Sequence, residues 1–307
     1  MFDGKPVVIV NPRSGGGLSE RRWASLVAPL ADGLGPFDTR FTEKVGDGAR
    51  IARQEAEAGR TLVIAFGGDG TISEVAHGLV SSGKDVELGI LPRGTGGDFR
   101  RTLDLPKGPR EAARRLKEAP GRWIDVGQAT FVDGEGKTTT RTFVNEASFG
   151  FSSAVASRAN QSSKALGAKL SFLGATLSTL MGYHNVEVTI AVDGGAPQRR
   201  TVMLGTVGNG RFFGGGMKIC PEAVLDDGRL DLVVVGDLSR FEVMTKIGSL
   251  YDGTHLKLKQ VSSTRASRVE VRGVDPAVVI PVELDGETPG FLPASFEVLP
   301  RRLRVRF

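Results

Sequence analysis

Residues 61–75, Thr61-Leu62-Val63-Ile64-Ala65-Phe66-Gly67-Gly68-Asp69-Gly70-Thr71-Ile72-Ser73-Glu74-Val75, carry a strand, a glycine turn and the start of a helix in succession. The apolar run Thr61–Phe66 reads as a parallel strand buried on both faces. After the turn, Ile72, Val75, Ala76, Leu79 and Val80 recur at helical spacing. Similar apolar runs lie at Pro6–Val10 and Glu87–Leu91. Trp23, Leu26, Val27 and Leu30 mark a helix between the first two runs, and Arg50–Glu57 and Pro109–Lys117 are weaker helical stretches. The proline of the last one stands where a first helical turn tolerates it. This alternation, up to about residue 126, predicts a doubly wound parallel sheet.

After Asp125 the period changes to two. Val186, Val188, Ile190 and Val192 alternate with polar partners, and Asp193-Gly194 follows as a hairpin turn. Thr142–Asn145, Thr201–Thr206, Leu230–Val235, Val269–Val271 and Val278–Leu284 add strands, which predicts an antiparallel sheet domain. A long helical block, about 153–181, and a shorter one at Arg240–Tyr251 interrupt them. No repeat or low-complexity linker is visible, so the boundary near Trp123–Gly127 reads as a hinge between packed units.

The 307 residues suit one large or two ordinary domains, and 40% hydrophobic with 24% charged residues excludes a disordered chain, a collagen repeat and a coiled coil. A single cysteine, Cys220, excludes a disulfide within the chain, and three histidines with one cysteine leave no set for a structural zinc. A net charge of +5 permits contact with an anionic surface but is too mild to indicate nucleic acid. The start, MFDGKPVVIV, lacks the leader and apolar core of a secretory signal, so a cytoplasmic protein is expected. The most apolar stretch, Ala165–Tyr183, holds Lys169, three Gly and four Ser or Thr, and does not read as a membrane span. Glycine is the oddity: 42 residues is about twice the usual share of about 7%.

Three glycine clusters follow strands: Asn11-Pro12-Arg13-Ser14-Gly15-Gly16-Gly17, Gly67-Gly68-Asp69-Gly70-Thr71, and Pro92-Arg93-Gly94-Thr95-Gly96-Gly97-Asp98-Phe99. Ligands of open α/β sheets bind beyond the carboxyl ends of the strands, and amides at a helix start favour phosphate. Three such loops at one edge describe a polyphosphate cradle, although neither GxxxxGK[ST] nor GxGxxG occurs in them. Asp69 and Asp98 would repel a phosphate unless a divalent cation lies between. Asp69 also reads as a helix cap.

These pieces carry a resemblance. NPRSGGG (11–17), FGGDGTISEV (66–75), LPRGTGGDFRR (91–101), WIDVG (123–127), VNEASFGFSS (144–153), GNGRFFGGGMKICPEAVLDDGRLDL (208–232) and VELDGE (282–287) occur in one order from end to end. The chain resembles the diacylglycerol kinase catalytic-domain family in its bacterial lipid kinase branch, related to sphingosine and ceramide kinases. The resemblance implies a Rossmann-like ATP-binding α/β domain, residues 1–126 with a returning segment 292–307, and a β-sandwich lipid domain, residues 127–291. It implies ATP contacts at Asn11, Pro12, Arg13, Ser14, Gly15, Thr42, Gly68, Asp69, Gly70, Thr71, Ile72, Ser73, Glu74 and Thr95. It implies Asp69 and Asp125 around Mg2+ and Glu287 as general base. A structural magnesium is implied on the DDG loop, at Asp227 with the carbonyls of Val224 and Arg229. In the third loop Gly97 replaces the family's usual Asn, and Arg100-Arg101 follows Phe99.

Phosphoryl transfer needs positioning, a metal and an acceptor for the alcohol proton. Glu287 suits the last role because the Asp285-Gly286 turn presents it after an apolar run, although a solvated turn acid reads the same way. A plain hairpin likewise explains the DDG loop without a metal. His77, His184 and His255 are scattered and suggest no catalytic role. Leu166, Leu170, Leu173, Leu177 and Leu180 form one helical face, read as core before lipid contact. Arg302, Arg304 and Arg306 alternate with Leu303, Val305 and Phe307 as an edge strand with a basic outer row. The expectation is a lipid kinase that acts on a membrane lipid through reversible peripheral contact at the inner membrane surface, with a homodimer allowed. An NAD kinase shares GGDGT, and a nucleotide or lipid binder without turnover is the rival outside enzymes.

Overall fold

The computed structural model describes residues 4–18, 20–94, 96–161, 179 and 182–307. It divides into two compact units, Met1–Asp125 with Arg301–Phe307, and Val126–Pro300.

In the first unit β1 (Val7–Val10), β2 (Asp38–Phe41), β3 (Leu62–Gly67) and β4 (Glu87–Pro92) alternate with α1 (Glu20–Leu34), α2 (Asp47–Glu57) and α3 (Asp69–Ser82); α4 (Asp98–Thr102) and α5 (Pro109–Glu118) follow. The strands are parallel in the order β2-β1-β3-β4, and Arg304 and Val305 add to β4 in parallel register with Glu87 and Leu88. β1, β3 and β4 are buried at every position, as continuous apolar strands in a covered sheet must be. One face packs Val8, Val10, Ile64 and Phe66 against Trp23, Leu30 and Leu34 of α1 and Ala112, Ala113 and Leu116 of α5. All five periodic residues of α3 are buried, whereas Val27 of α1 is 36% exposed. β2 was not legible: Asp-Thr-Arg-Phe pairs only with β1, so its polar residues face water at a sheet edge.

The last strand corrects one expectation. Arg306 is buried, not part of a basic outer row; it pairs with Glu87 at 2.5 Å and donates to the carbonyl of Ala119 at 2.6 Å. A buried Glu87 needs a counter-charge, and Arg306 and Arg304 both supply it.

In the second unit β5 (Gly121–Asp133, which begins before the unit boundary), β6 (Thr138–Phe143), β7 (Glu146–Gly150), β8 (Val186–Val192), β9 (Gln198–Val202), β10 (Leu204–Gly208), β11 (Leu230–Val235), β12 (Val261–Ala266), β13 (Arg268–Gly273), β14 (Pro281–Leu284) and β15 (Glu287–Arg306) are strands. α6 (Phe151–Gln161), α7 (Arg240–Lys246) and α8 (Gly248–Asp252) are helices. One antiparallel run is β12-β11-β10-β7-β14, and a second is β9-β8-β13-β15. Phe149, Val207, Leu232 and Val282 from the first run share a core with Val188, Val269 and Phe296 from the second. The predicted strand Thr201–Thr206 divides at Met203, because β9 joins one run and β10 the other. Val278 and Val279 lie before β14 and are exposed. Ala294–Glu297 pair with β13, which keeps them in the second unit; the chain rejoins the first unit at Arg301, later than the expected Leu292. α6 forms the start of the long helical block, whose leucine stripe 166–180 lies outside the described residues.

Candidate active site

Because β1, β3 and β4 are parallel neighbours, the three glycine clusters share one edge of the first sheet. Backbone bonds stitch them: Asn11 N donates to the Phe66 carbonyl at 3.1 Å and Arg93 N to the Gly67 carbonyl at 2.7 Å. Asn11 Nδ2 donates to Thr71 Oγ1 at 3.0 Å, and its Oδ1 accepts the Arg13 amide at 2.9 Å. Ser14 Oγ turns back to the Asn11 carbonyl at 2.8 Å, leaving Arg13 and Gly15 exposed. Ile72 is in the core, so only its backbone faces the loop, and Gly68, Gly70 and Ser73 are half-buried around it.

Glu74 accepts Gly46 N at 2.9 Å and Gly48 N at 2.8 Å, which ties the start of α2 to α3. Asp47 accepts the amides of Glu43 and Lys44, and these bonds, with Arg50, lower its pKa to about 2. The two acids thereby fix the loop after Thr42, whose amide closes on the Val10 carbonyl at 3.0 Å.

Asp69 opens α3 and reaches the third cluster. Its Oδ2 accepts Gly97 N at 2.7 Å and its Oδ1 accepts Phe99 N at 3.3 Å. A Cβ on Gly96 would stand 2.6 Å from Asp69 Oδ2, so the approach requires glycine there. Gly97 has φ +68°, a left-handed position that Asn tolerates next best. The Asn that the resemblance implies here would keep the same backbone, so Gly97 removes only an amide group. Arg93 donates to the Gly17 carbonyl at 2.6 Å and lies over Phe66, and burial lowers its pKa. Arg101 pairs with Asp98 at 2.8 Å and Arg100 donates to the Leu105 carbonyl at 2.7 Å, so both work inside this loop. Thr95 lies outside the described residues. Asp125 is fully buried and accepts the amide of Arg301 at 2.7 Å.

In the second unit Asp285 and Gly286 both have positive φ, +48° and +92°, and form the two-residue turn that leads to Glu287. Asp285 accepts the amides of Val144, Asn145 and Glu146, each at 3.0 Å. Glu287 is half-buried and accepts from Arg141 Nη2 at 3.0 Å. Beneath it Glu283 is buried; it accepts from Ser148 Oγ and the Gly286 amide and shares a hydrogen bond with Glu146. Burial raises the Glu283 pKa, against those hydrogen bonds, and the charge of Asp285 adds to the rise. Burial disfavours two full negative charges side by side at this place. Sequence reading missed this pair. Its only signal was a carboxylate in each of two fully or mostly buried strands, Glu146 at the start of β7 and Glu283 within β14.

On the DDG loop Asp227 Oδ1 accepts the Arg229 amide at 3.0 Å, and Arg229 itself reaches Asp193 at 3.2 Å. Val224 is exposed. The Arg265 guanidinium lies 3.7 Å from Asp227 and 3.9 Å from Asp231, and it donates to the Glu222 carbonyl at 3.2 Å. Burial lifts Asp231 to about 6, Arg265 moderating the rise and Asp227 and Glu222 adding to it. A guanidinium already stands among these acids and meets part of their charge. Among the described residues no group of three His, Cys, Asp or Glu side chains could hold a metal ion.

The diacylglycerol kinase catalytic domain family matches residues 5–129, and the family described as the YegS C-terminal NAD kinase beta sandwich-like domain matches residues 145–307. Together they run through both units in order. The chain belongs to the diacylglycerol kinase and YegS-like family of lipid kinases. Members of this family are phosphotransferases. A diacylglycerol kinase of Mycobacterium tuberculosis is 32% identical over 98% of this chain and 94% of its own. A probable lipid kinase YegS-like of Pseudomonas putida is 30% identical over 92% of this chain and 88% of its own. Among solved structures, a diacylglycerol kinase from Bacillus anthracis matches with TM-score 0.72 and 25% identity, covering 99% of this chain and 96% of that one. No helix among the described residues is long and apolar enough to cross a membrane.

Proposed function

We propose that this lipid kinase transfers the γ-phosphoryl group of ATP to a hydroxyl of a membrane lipid, diacylglycerol-like before sphingoid or ceramide-like. The observation that carries the reading is the Asp69 carboxylate holding the amides of Gly97 and Phe99, which joins the second and third glycine loops at one sheet edge. Amides of these loops bind the phosphates, and Asn11, Thr71, Asp47 and Glu74 fix the loops from behind. Magnesium accompanying ATP would neutralise phosphate charge, with Asp69 and Asp125 as the acids that would organise it. Glu287 accepts the lipid hydroxyl proton as that oxygen bonds to the γ-phosphorus and the bond to the ADP oxygen breaks. Asp285 and the Glu146–Glu283 pair hold the turn from which Glu287 acts. The protein works by reversible attachment to the cytoplasmic face of the inner membrane.

Incubation with γ-labelled ATP and a detergent-dispersed panel of diacylglycerol, sphingosine and ceramide, with NAD as a control acceptor, tests the proposal. Label on diacylglycerol supports it. Label on NAD alone, or nucleotide binding without transfer to any acceptor, overturns it.

A further inference from the structure

We propose that the outer face of α7 and α8 is the surface by which the protein docks onto an anionic bilayer, an inference that rests on the lipid kinase reading. Ile247 keeps a helical backbone between the two helices, so 240–252 behaves as one continuous helix. Its inner face carries Val243 and Leu250, which pack against the core with Phe213, Ile219 and Val235. Its outer face carries Phe241, Met244, Ile247 and Tyr251, which are 75%, 63%, 40% and 55% exposed. Glu242, Thr245, Lys246 and Ser249 form the polar side between: Glu242 completes the Ser239 capping box and pairs with Lys246 at 3.1 Å. Surface helices present one apolar stripe to their own protein; a second apolar stripe belongs to a second apolar phase.

The chemistry of the face selects a bilayer. Phe, Met and Ile enter acyl chains, while Tyr carries the ring and hydroxyl that settle at headgroup depth. Residues 240–259 hold Arg240, Lys246, Lys257 and Lys259 against Glu242 and Asp252, a basic balance that complements anionic headgroups. Lys257 and Lys259 are exposed just beyond Tyr251. Phe241 also borders a cleft of about 660 Å³ whose lining mixes Tyr183, Met203 and Leu238 with the polar Asn185, Thr201 and Asp237. Elsewhere, Arg304 and Arg306 serve Glu87, and Arg100 and Arg101 serve their own loop.

The test is co-sedimentation of the full chain with phosphatidylcholine vesicles, with and without phosphatidylglycerol, for the wild type, Phe241→Ser/Met244→Ser and Lys257→Gln/Lys259→Gln. Both changes alter exposed side chains, and unchanged melting checks the fold. The first double variant is expected to lose vesicle binding about tenfold or more. The second is expected to lose the preference for phosphatidylglycerol. Turnover of a water-soluble short-chain diacylglycerol should stay at the wild-type level in both. Wild-type vesicle binding by Phe241→Ser/Met244→Ser overturns the proposal. So does a loss of self-association on sedimentation with vesicle binding intact, which would assign the face to a second copy of the chain. If vesicle binding depends on the face but no lipid is phosphorylated even by the wild type, docking stands and the kinase reading falls.

Discussion

The Asp69 carboxylate accepts the backbone amide of Gly97 at 2.7 Å, and through that bond the start of one helix positions the loop that precedes another. The N-cap position of α3 is Gly68, with no side-chain hydrogen bond, so Asp69 does not cap its own helix; its carboxylate serves the start of α4 instead.

Asp69→Asn has one oxygen where the loop needs two acceptors. It is expected to lower kcat/KM for ATP at least tenfold, while stability falls by no more than an unsatisfied amide costs, about 1–3 kcal/mol. Gly96→Ala should lower ATP use in the same direction without touching the carboxylate chemically, because its methyl displaces Asp69 Oδ2. Steady-state kinetics beside thermal melts check both. A collapse of stability with normal ATP use per folded molecule would leave Asp69 a structural tie between the loops alone.

The Glu146–Glu283 pair predicts a contrast between two substitutions. Burial raises the Glu283 pKa, so Glu283→Gln stands for its neutral form, with the amide oxygen accepting from Gly286. It should keep stability and most turnover. Glu283→Ala removes the support of the turn and should cost about 1–3 kcal/mol and a large part of kcat. Urea unfolding and turnover of the two variants side by side decide the matter; equal behaviour would remove the pair from turn positioning.

Asp231 predicts a pH dependence. Its folded pKa, about 6, lies above the ordinary carboxylate value because of burial. The folded state then binds more protons than the unfolded one between about pH 4 and about pH 6, and stability falls as pH rises through that window. Asp231→Asn lacks this loss. Its stability relative to wild type should rise from acid toward neutral pH by up to about 3 kcal/mol, read from urea midpoints across the range. A pH-independent difference would contradict the assigned shift.

The parallel sheet was legible because β1, β3 and β4 are buried on both faces and so are apolar without a break. The three loops were legible because glycines there serve turns and close approaches that other residues cannot make. β2 was hidden because a sheet edge tolerates Asp, Thr and Arg, and the division at Met203 was hidden because alternation does not reveal which partner a strand joins. The buried carboxyls Glu146 and Glu283 escaped notice because a charged residue in a strand ordinarily faces water. The exchange at Gly97 became intelligible only from its left-handed backbone, which sequence alone does not give.

The account centres on a phosphoryl group passing from ATP to a lipid hydroxyl while Glu287 takes the proton. The most direct measurement is the mass-resolved yield of phosphorylated diacylglycerol in mixed micelles with ATP and Mg2+, for the wild type and Glu287→Gln at equal folded concentration. The account predicts a product heavier than diacylglycerol by one phosphate from the wild type, a rate lower by about 100-fold or more in the variant, and unchanged ATP affinity. Near-equal rates from the two proteins would contradict the role of Glu287, and no phosphorylated lipid from the wild type would contradict the account as a whole.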